Sequence, residues 1–450
     1  MSETLLDVLA AHRRAGAGDR PALVDQHGHL TYSGLEREVS ACARALAGAG
    51  LGAGSRIAVV LTGALDSVVR FAAVTALDAA VLVLQQRITA TERSSALADF
   101  GAEVLLDADG LVTLSPPVVT RSSEPAFAVT SSGTMGKPKV ISREWAGTLR
   151  NSSAFAERFG LDRDDIVLTT SPLGHCYAIE AGTLAVLSAG ACQLIPPGPL
   201  TPAQAADFAR RHRPTVLQTV PVILGWYGRQ GVCESSDWRR CVSAADVLPA
   251  DVAAQWQRAG IPVADHYGNS ELGPLTLAPV GGAGDVGAAL PGVTLRAGQD
   301  RPEPVSARFP GLAPVRLESG QSVPLTDDGG WVCTGDVGVL DGDVLRLAGR
   351  SDSMINVAGN KVDPAEVERV LRGLSGVGDC AVVGRPGPAG AEQVWAFVEA
   401  PADGFDAAVL RRDASRLLSG SKVPAVIRRV DELPRTGSGK VRRGLLAEEG

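Results

Sequence analysis

The residues best suited to chemistry lie in a loop of small side chains, TSSGTMGKPK, at positions 130–139. Hydroxyls and open backbone N–H groups in such a loop close around phosphate oxygens while lysines add charge, so the segment reads as a polyphosphate cradle. It is not a Walker loop, because Gly136-Lys137 is followed by proline and no glycine stands at the required earlier position. On loop composition alone, a surface turn rich in Ser and Gly competes with the cradle. A second candidate is YGNSE at 267–271, which follows the strand-like IPVADH. Glu271 is there a carboxylate at the end of a buried strand, well placed to hold a divalent metal, although the segment taken alone is nothing more than a turn. The glycine run GAGLGAG at 48–54 precedes a strand where a dinucleotide loop would follow one, and is read as a turn.

These residues need a scaffold, and the pattern from Arg56 onward supplies one. RIAVVL, a helix at 67–77, AVLVL, a helix at 90–100 and EVLL alternate, and DIVLTT, ACQLIP, PTVLQTV and RCVSA continue the rhythm. That is α/β layering with largely parallel sheets over the first three hundred or so residues. Between 281 and 347 the runs shorten and are broken by Gly, Pro and Asp, which predicts a small β-rich piece packed on the body. Beyond 350 a compact α/β unit is expected, with helices at 364–372 and 407–418 and strands near 380–383, 394–399 and 425–429. The predicted architecture is a large multi-part α/β body over 1–350 and a small, mobile α/β domain over 351–450.

Bulk properties agree with this and exclude several partners. A chain of 450 residues that is 45% hydrophobic exceeds one ordinary core. The net charge of −7, with both signs interleaved, provides no stripe for nucleic acid. Seven dispersed cysteines without a C-x-x-C pair argue against a disulfide framework or zinc site and suit a reducing cytoplasm. No apolar run reaches membrane-spanning length, and MSETLLDVLAAHRRAG reads as a short amphipathic helix rather than an export signal.

Longer motifs raise the specificity. The 130–139 loop resembles the [ST]-S-G-[ST]-T-G-x-P-K-G signature of the adenylate-forming superfamily, which includes acyl- and aryl-CoA synthetases, luciferases and peptide-synthetase adenylation domains. Ser131, Ser132, Gly133, Thr134, Gly136, Pro138 and Lys139 fall on it, whereas Met135 and Val140 depart from it. YGNSE is similar to the family's Y-G-x-T-E. SAADVLP at 243–249 is similar to S-A-G-E-A-L-P, with Ala245 where a glycine is usual, and WVCTGD at 331–336 matches W-x-x-T-G-D. GRSDSMINVAGNKVDPAEVE at 349–368 agrees with the family pattern at every fixed position, and LPRTGSGKVR at 433–442 matches P-x-T-x-[ST]-G-K-[VI]-x-R. The resemblance runs in the family's order from LTYSGL at 30–35 to near the last residues.

The resemblance implies roles. Ser131, Ser132, Gly133, Thr134, Gly136 and Lys139 would cradle the ATP phosphates. Ser270 and Glu271 would meet the α-phosphate and Mg²⁺. Tyr267, Ala245 and Asp246 would flank the base. Asp336 would accept hydrogen bonds from both ribose hydroxyls, a task for an acceptor-only carboxylate. Arg350 would reach the ribose or α-phosphate, and Lys440 would be the catalytic lysine of adenylation. Asp352 would be the hinge, with the loop around Gly359 lining a thiol tunnel.

SPLGHCYA at 171–178 and its surroundings are most like benzoate-type aryl-CoA ligases. His175, Cys176 and Tyr177 would then sit beside the acyl group and gate it, although a wall role without acid-base work is the stronger reading for His175. No aspartate lies between 171 and 179 to anchor an ammonium, which disfavours α-amino acids. The small Gly268 and Gly273 suggest a compact aryl or short acyl acid. The expected acceptor is the thiol of coenzyme A or of a carrier protein's phosphopantetheine, acting in trans. Capture of the adenylate by an amine, a catalytically silent adenylate-binding module, and a P-loop hydrolase are the alternatives, the last failing on loop spacing.

Overall fold

Short β-branched runs become strands because both of their faces are covered by helices, and buried parallel strands of this kind are apolar almost throughout. The computed structural model of the protein describes residues 4–114, 126–131, 139–246, 248–278, 285–319, 321–350, 355–357, 360–387, 392–418, 420–436 and 441–448. In one sheet, Arg56–Leu61, Ala80–Gln85, Val104–Asp107 and Ala126–Ser131 run parallel, with Leu65–Thr75 and Ala90–Phe100 as helices between them. In a second sheet, Pro21–Val24, Cys192–Leu194, Ile166–Thr169, Val216–Thr219, Arg240–Ala244 and Val263–Asn269 are parallel neighbours in that order.

Helix ends follow local chemistry. Thr4 with Asp7, Thr89 with Glu92, and Thr201 with Gln204 each close a reciprocal capping box. Gly101 and Gly160 end their helices in the left-handed conformation that glycine adopts without steric cost.

The β-rich stretch is present, and its strands extend the two sheets rather than forming a sheet of their own. Gly273–Ala278 turns back antiparallel on Val263–Asn269, followed by Asp285–Ala289, Val344–Arg350, Val332–Asp341, Glu303–Arg308 and Thr294–Arg296. Val315–Glu318 and Gln321–Pro324 join the other sheet through Lys139–Glu144. The cause is hydrogen-bond accounting: a sheet ending at a buried strand leaves a row of orphaned N–H and C=O groups, which these hairpins satisfy.

From Ile355 onward the described strands pair among themselves. Asp379–Pro386, Glu392–Glu399 and Val426–Val430 form a small sheet, and Ile355, Val367, Leu371, Val382, Val398 and Leu410 belong to one core around it. Among the described residues, no helix is long and apolar enough to cross a membrane.

Candidate active site

The glycine-rich segment is flanked by two paired strands. Ala126–Ser131 and Lys139–Glu144 pair antiparallel with Ser131 opposite Lys139, so the register fixes where the intervening segment leaves and re-enters the sheet. Ser131 is half-buried and Lys139 exposed; Ser132, Gly133, Thr134 and Gly136 lie outside the described residues.

A second hairpin carries Ser270 and Glu271. Gly268 pairs with Pro274 and Asn269 with Gly273, and the Asn269 carboxamide accepts the Leu272 N–H at 2.8 Å. Gly273 closes the turn at φ 78°, a left-handed value that suits glycine. Ser270 and Glu271 are half-buried at its tip. Just before the turn, the Tyr267 hydroxyl donates to Asp336 Oδ2 at 2.6 Å. Burial, reinforced by that carboxylate, pushes the Tyr267 hydroxyl well up, so it stays a donor. Asp336 lies opposite Arg350 in the next strand pair, with Arg350 Nη1 3.5 Å from Oδ1. The Asp336 N–H reaches Thr334 Oγ at 3.2 Å, and Thr334 in turn donates to the Val305 carbonyl at 3.0 Å. Tyr267, Asp336 and Arg350, separated in sequence, therefore meet around one carboxylate.

The segment carrying His175, Cys176 and Tyr177 approaches the same turn. Cys176 Sγ is 3.8 Å from Ser270 Oγ and 4.0 Å from His175 Nδ1. Burial pushes the Cys176 thiol up to about 11, so it is a neutral wall group at physiological pH. The Tyr177 hydroxyl is tied to the Val242 carbonyl at 3.2 Å and its ring lies 5.6 Å from that of His266, making it a fixed wall. His266, held neutral by burial at about 4, shares a hydrogen bond of 2.9 Å with the Thr276 carbonyl.

Ala245 and Asp246 are exposed just past the strand Arg240–Ala244. Ala245 has φ 77°, so the alanine that stands in a glycine position occupies a glycine conformation. Three residues near these segments carry no motif: the half-buried Asp265 and the fully enclosed Arg143 and Glu180. Burial pushes the Asp265 carboxyl up to about 7 despite backbone donors from His266 and Leu248, and Asp246 adds to the rise. The available signal for Glu180 was a lone carboxylate inside the apolar run YAIEAGTLAVL.

Lys440, Asp352 and Gly359 lie outside the described residues. The chain on either side of Lys440 is drawn together, since Arg435 bridges Val441 and the Arg442 N–H donates to the Pro434 carbonyl at 2.7 Å. Next along, Arg443 Nη2 contacts both Glu368 oxygens at 2.9 and 3.0 Å. Burial works against the Arg443 charge, but Glu368 and, across from the body, Asp246 hold it raised.

Among the described residues, no group of three or more His, Cys, Asp or Glu side chains could hold a metal. A single half-buried Glu271 beside Ser270 suits a hydrated Mg²⁺ that takes its other ligands from phosphates and water.

Comparison with known proteins gives this geometry its context. Residues 10–114 and 108–311 match the AMP-binding enzyme family, and residues 366–440 match the C-terminal domain of AMP-binding enzymes. The chain belongs to the AMP-binding enzyme family. It is 26% identical over 488 residues to a 3-hydroxybenzoate–CoA/4-hydroxybenzoate–CoA ligase of Thauera aromatica, covering 95% of this chain and 93% of the relative. It is 28% identical to a 3-hydroxybenzoate–CoA ligase of Aromatoleum sp. (strain CIB), covering 96% and 94%. Its fold superposes on the anthranilate CoA ligase AuaEII in complex with anthranoyl-AMP with a TM-score of 0.85 at 22% identity, covering 99% of this chain and 96% of the other.

Proposed function

We propose that the protein is an AMP-forming acid–thiol ligase acting on a small aryl or short acyl carboxylic acid. The observation that carries this reading is the 3.8 Å approach of Cys176 to Ser270, which sets the acid segment against the turn assigned to the α-phosphate. The similarity to hydroxybenzoate–CoA ligases supports an aryl acid and coenzyme A; a carrier-protein phosphopantetheine presents the same thiol.

A carboxylate is a poor acyl donor, so the acid is first activated. Its oxygen attacks the α-phosphorus, the bond to the bridging oxygen of the β-phosphate breaks, and pyrophosphate leaves an acyl-adenylate. The acceptor sulfur then forms a bond to the acyl carbon and AMP departs. Catalysis is positioning and electrostatics. Asp336 accepts from the ribose hydroxyls, with Tyr267 and Arg350 fixing its orientation. Ser270 donates to an α-phosphate oxygen, and the 131–139 loop with Lys139 gathers the polyphosphate. Glu271 would hold the Mg²⁺ that arrives with ATP, whose charge offsets that of the phosphates. Lys440 bridges substrate carboxylate and α-phosphate from the unit spanning 351–450, which pivots at Asp352 to bring the Gly359 loop to the thiol tunnel; residues 1–350 hold the other groups.

The test is acid-dependent pyrophosphate exchange over benzoates, hydroxybenzoates, short and long aliphatic acids and α-amino acids, then offering coenzyme A, a phosphopantetheinylated carrier and simple amines. Exchange with aryl or short acyl acids and thioester formation are expected. Turnover confined to long fatty acids or α-amino acids would contradict the acid assignment, and amide products would contradict the thiol. Lys440→Ala should lose about 10²- to 10³-fold in exchange, the effect of removing one preorganised donor, while still binding ATP. Near-normal exchange in that variant would remove Lys440 from the mechanism.

A further inference from the structure

Beneath the site lies an ion pair that none of the sequence motifs contains. Arg143 belongs to the strand Lys139–Glu144, which begins where the phosphate loop ends. Its Nη1 and Nη2 donate to the two carboxylate oxygens of Glu180 at 3.0 and 2.5 Å, and both side chains are 0% exposed. The guanidinium lies 5.3 Å from the centre of the Phe127 ring, while its Nε has no hydrogen-bond partner among the described residues. Glu180 lies in the fully buried π-helical stretch Ala178–Leu184, directly after His175, Cys176 and Tyr177. Wide-wound turns of this kind concentrate at functional sites. The third party is the turn bearing Ser270 and Glu271: a Cβ at Gly273 would overlap the Glu180 carboxylate and lie 2.7 Å from Arg143 Nη1. The pair therefore touches the phosphate-loop strand, the acid helix and the α-phosphate turn at one point.

Stability alone does not explain it. Two charges taken out of water recover their desolvation cost only with very good geometry, and volume-matched apolar replacements are often neutral or stabilising. What a bidentate fork supplies, and apolar packing does not, is a fixed direction. Glu180, engaged in this way, is also not free to anchor a substrate ammonium.

We propose that Arg143 and Glu180 are positioning residues that hold the Ser270–Glu271 turn in register with both the phosphate loop and the acid segment. The proposal rests on the ligase reading above for what the turn does, and predicts that loosening the pair weakens metal-dependent phosphate placement while leaving the nucleoside contacts intact.

The test uses the full chain with Arg143→Met/Glu180→Leu, which removes both charges at similar volume, and with Glu180→Gln, which keeps the shape and leaves the guanidinium uncompensated. Calorimetry gives the affinity for AMP without metal and the Mg²⁺ concentration that half-saturates ATP binding; pyrophosphate exchange gives kcat and KM. The double variant should fold, bind AMP within about twofold of the parent, require at least about fivefold more Mg²⁺, and lose about tenfold or more in kcat with little change in KM for ATP. A double variant with Mg²⁺ requirement and kcat both within about twofold of the parent would overturn the proposal. Should the double variant not fold, the Glu180→Gln titration decides on the same criterion. A parent that binds Mg·ATP but exchanges pyrophosphate with no acid sinks the ligase reading instead, and the Mg²⁺ titration still judges the pair.

Discussion

The two halves of the candidate site are built differently. On the proposed nucleoside side, Tyr267, Asp336 and Arg350 come from family motifs and meet at one carboxylate through strand register. On the proposed acid side, Cys176 and Tyr177 are held as fixed groups, and behind them lies the buried Arg143–Glu180 pair, which belongs to no motif. The difference teaches that groups belonging to a family's motifs are written in residue types at fixed spacing, whereas a buried pair such as Arg143–Glu180 is written in packing between distant segments.

Perturbing each half separately tests that contrast. The largest effect is expected at Asp265, beside the nucleoside half. Its carboxyl is raised from the ordinary value to about 7 by burial, so its protonated form stabilises the fold fully below about pH 4, and that contribution is lost as pH rises towards 7. From the ordinary value of 3.8 to about 7, at about 1.4 kcal/mol per unit, the loss is on the order of 4 kcal/mol. Urea unfolding at pH 5 and pH 8 should show Asp265→Asn gaining on the parent at the higher pH; parallel curves would refute the assignment. Asp336→Asn comes next, with AMP affinity falling about 10- to 100-fold, as expected for a lost charge-assisted acceptor, and the ranking of acids unchanged. A reordered acid ranking would break the division between halves. Cys176→Ile, which adds bulk beside Ser270, should do the opposite: kcat/KM for a ring-bearing acid drops about tenfold relative to a two- or three-carbon acid, with AMP affinity unaltered. The smallest effect is Ala245→Gly, which relieves a left-handed alanine and should raise unfolding stability by about 0.5–1 kcal/mol after glycine's extra chain entropy is counted. A destabilised variant would mean that the backbone there is not strained.

Much of the scaffold was legible because parallel strands buried on both faces leave unmistakable apolar runs. RIAVVL, AVLVL and RCVSA became the strands Arg56–Leu61, Ala80–Gln85 and Arg240–Ala244. The pairing of the β-rich stretch was not legible, since short strands broken by Gly and Pro do not say which sheet edge they will satisfy. Tyr267, Asp336 and Arg350 could be picked out from motif spacing, but their meeting at one carboxylate follows only from the strand register. Arg143 and Glu180 could not be paired, because they stand 37 residues apart and nothing in their spacing links the strand of one to the helix of the other. Asp265 sits in IPVADH as an ordinary polar residue, and its raised carboxyl follows from burial, a property of the assembled fold.

The strand Val263–Asn269 is parallel to one neighbour and antiparallel to the other, which makes it a seam down the middle of the large sheet. Asp336 and Arg350 lie on the hairpin flank, and the acid segment lies among the crossover strands. A graft exchanging everything on the hairpin flank would carry Asp336 and Arg350 with it, leave Tyr267 on the seam and leave the segment bearing Cys176 behind, so the grip on one carboxylate is assembled across that line.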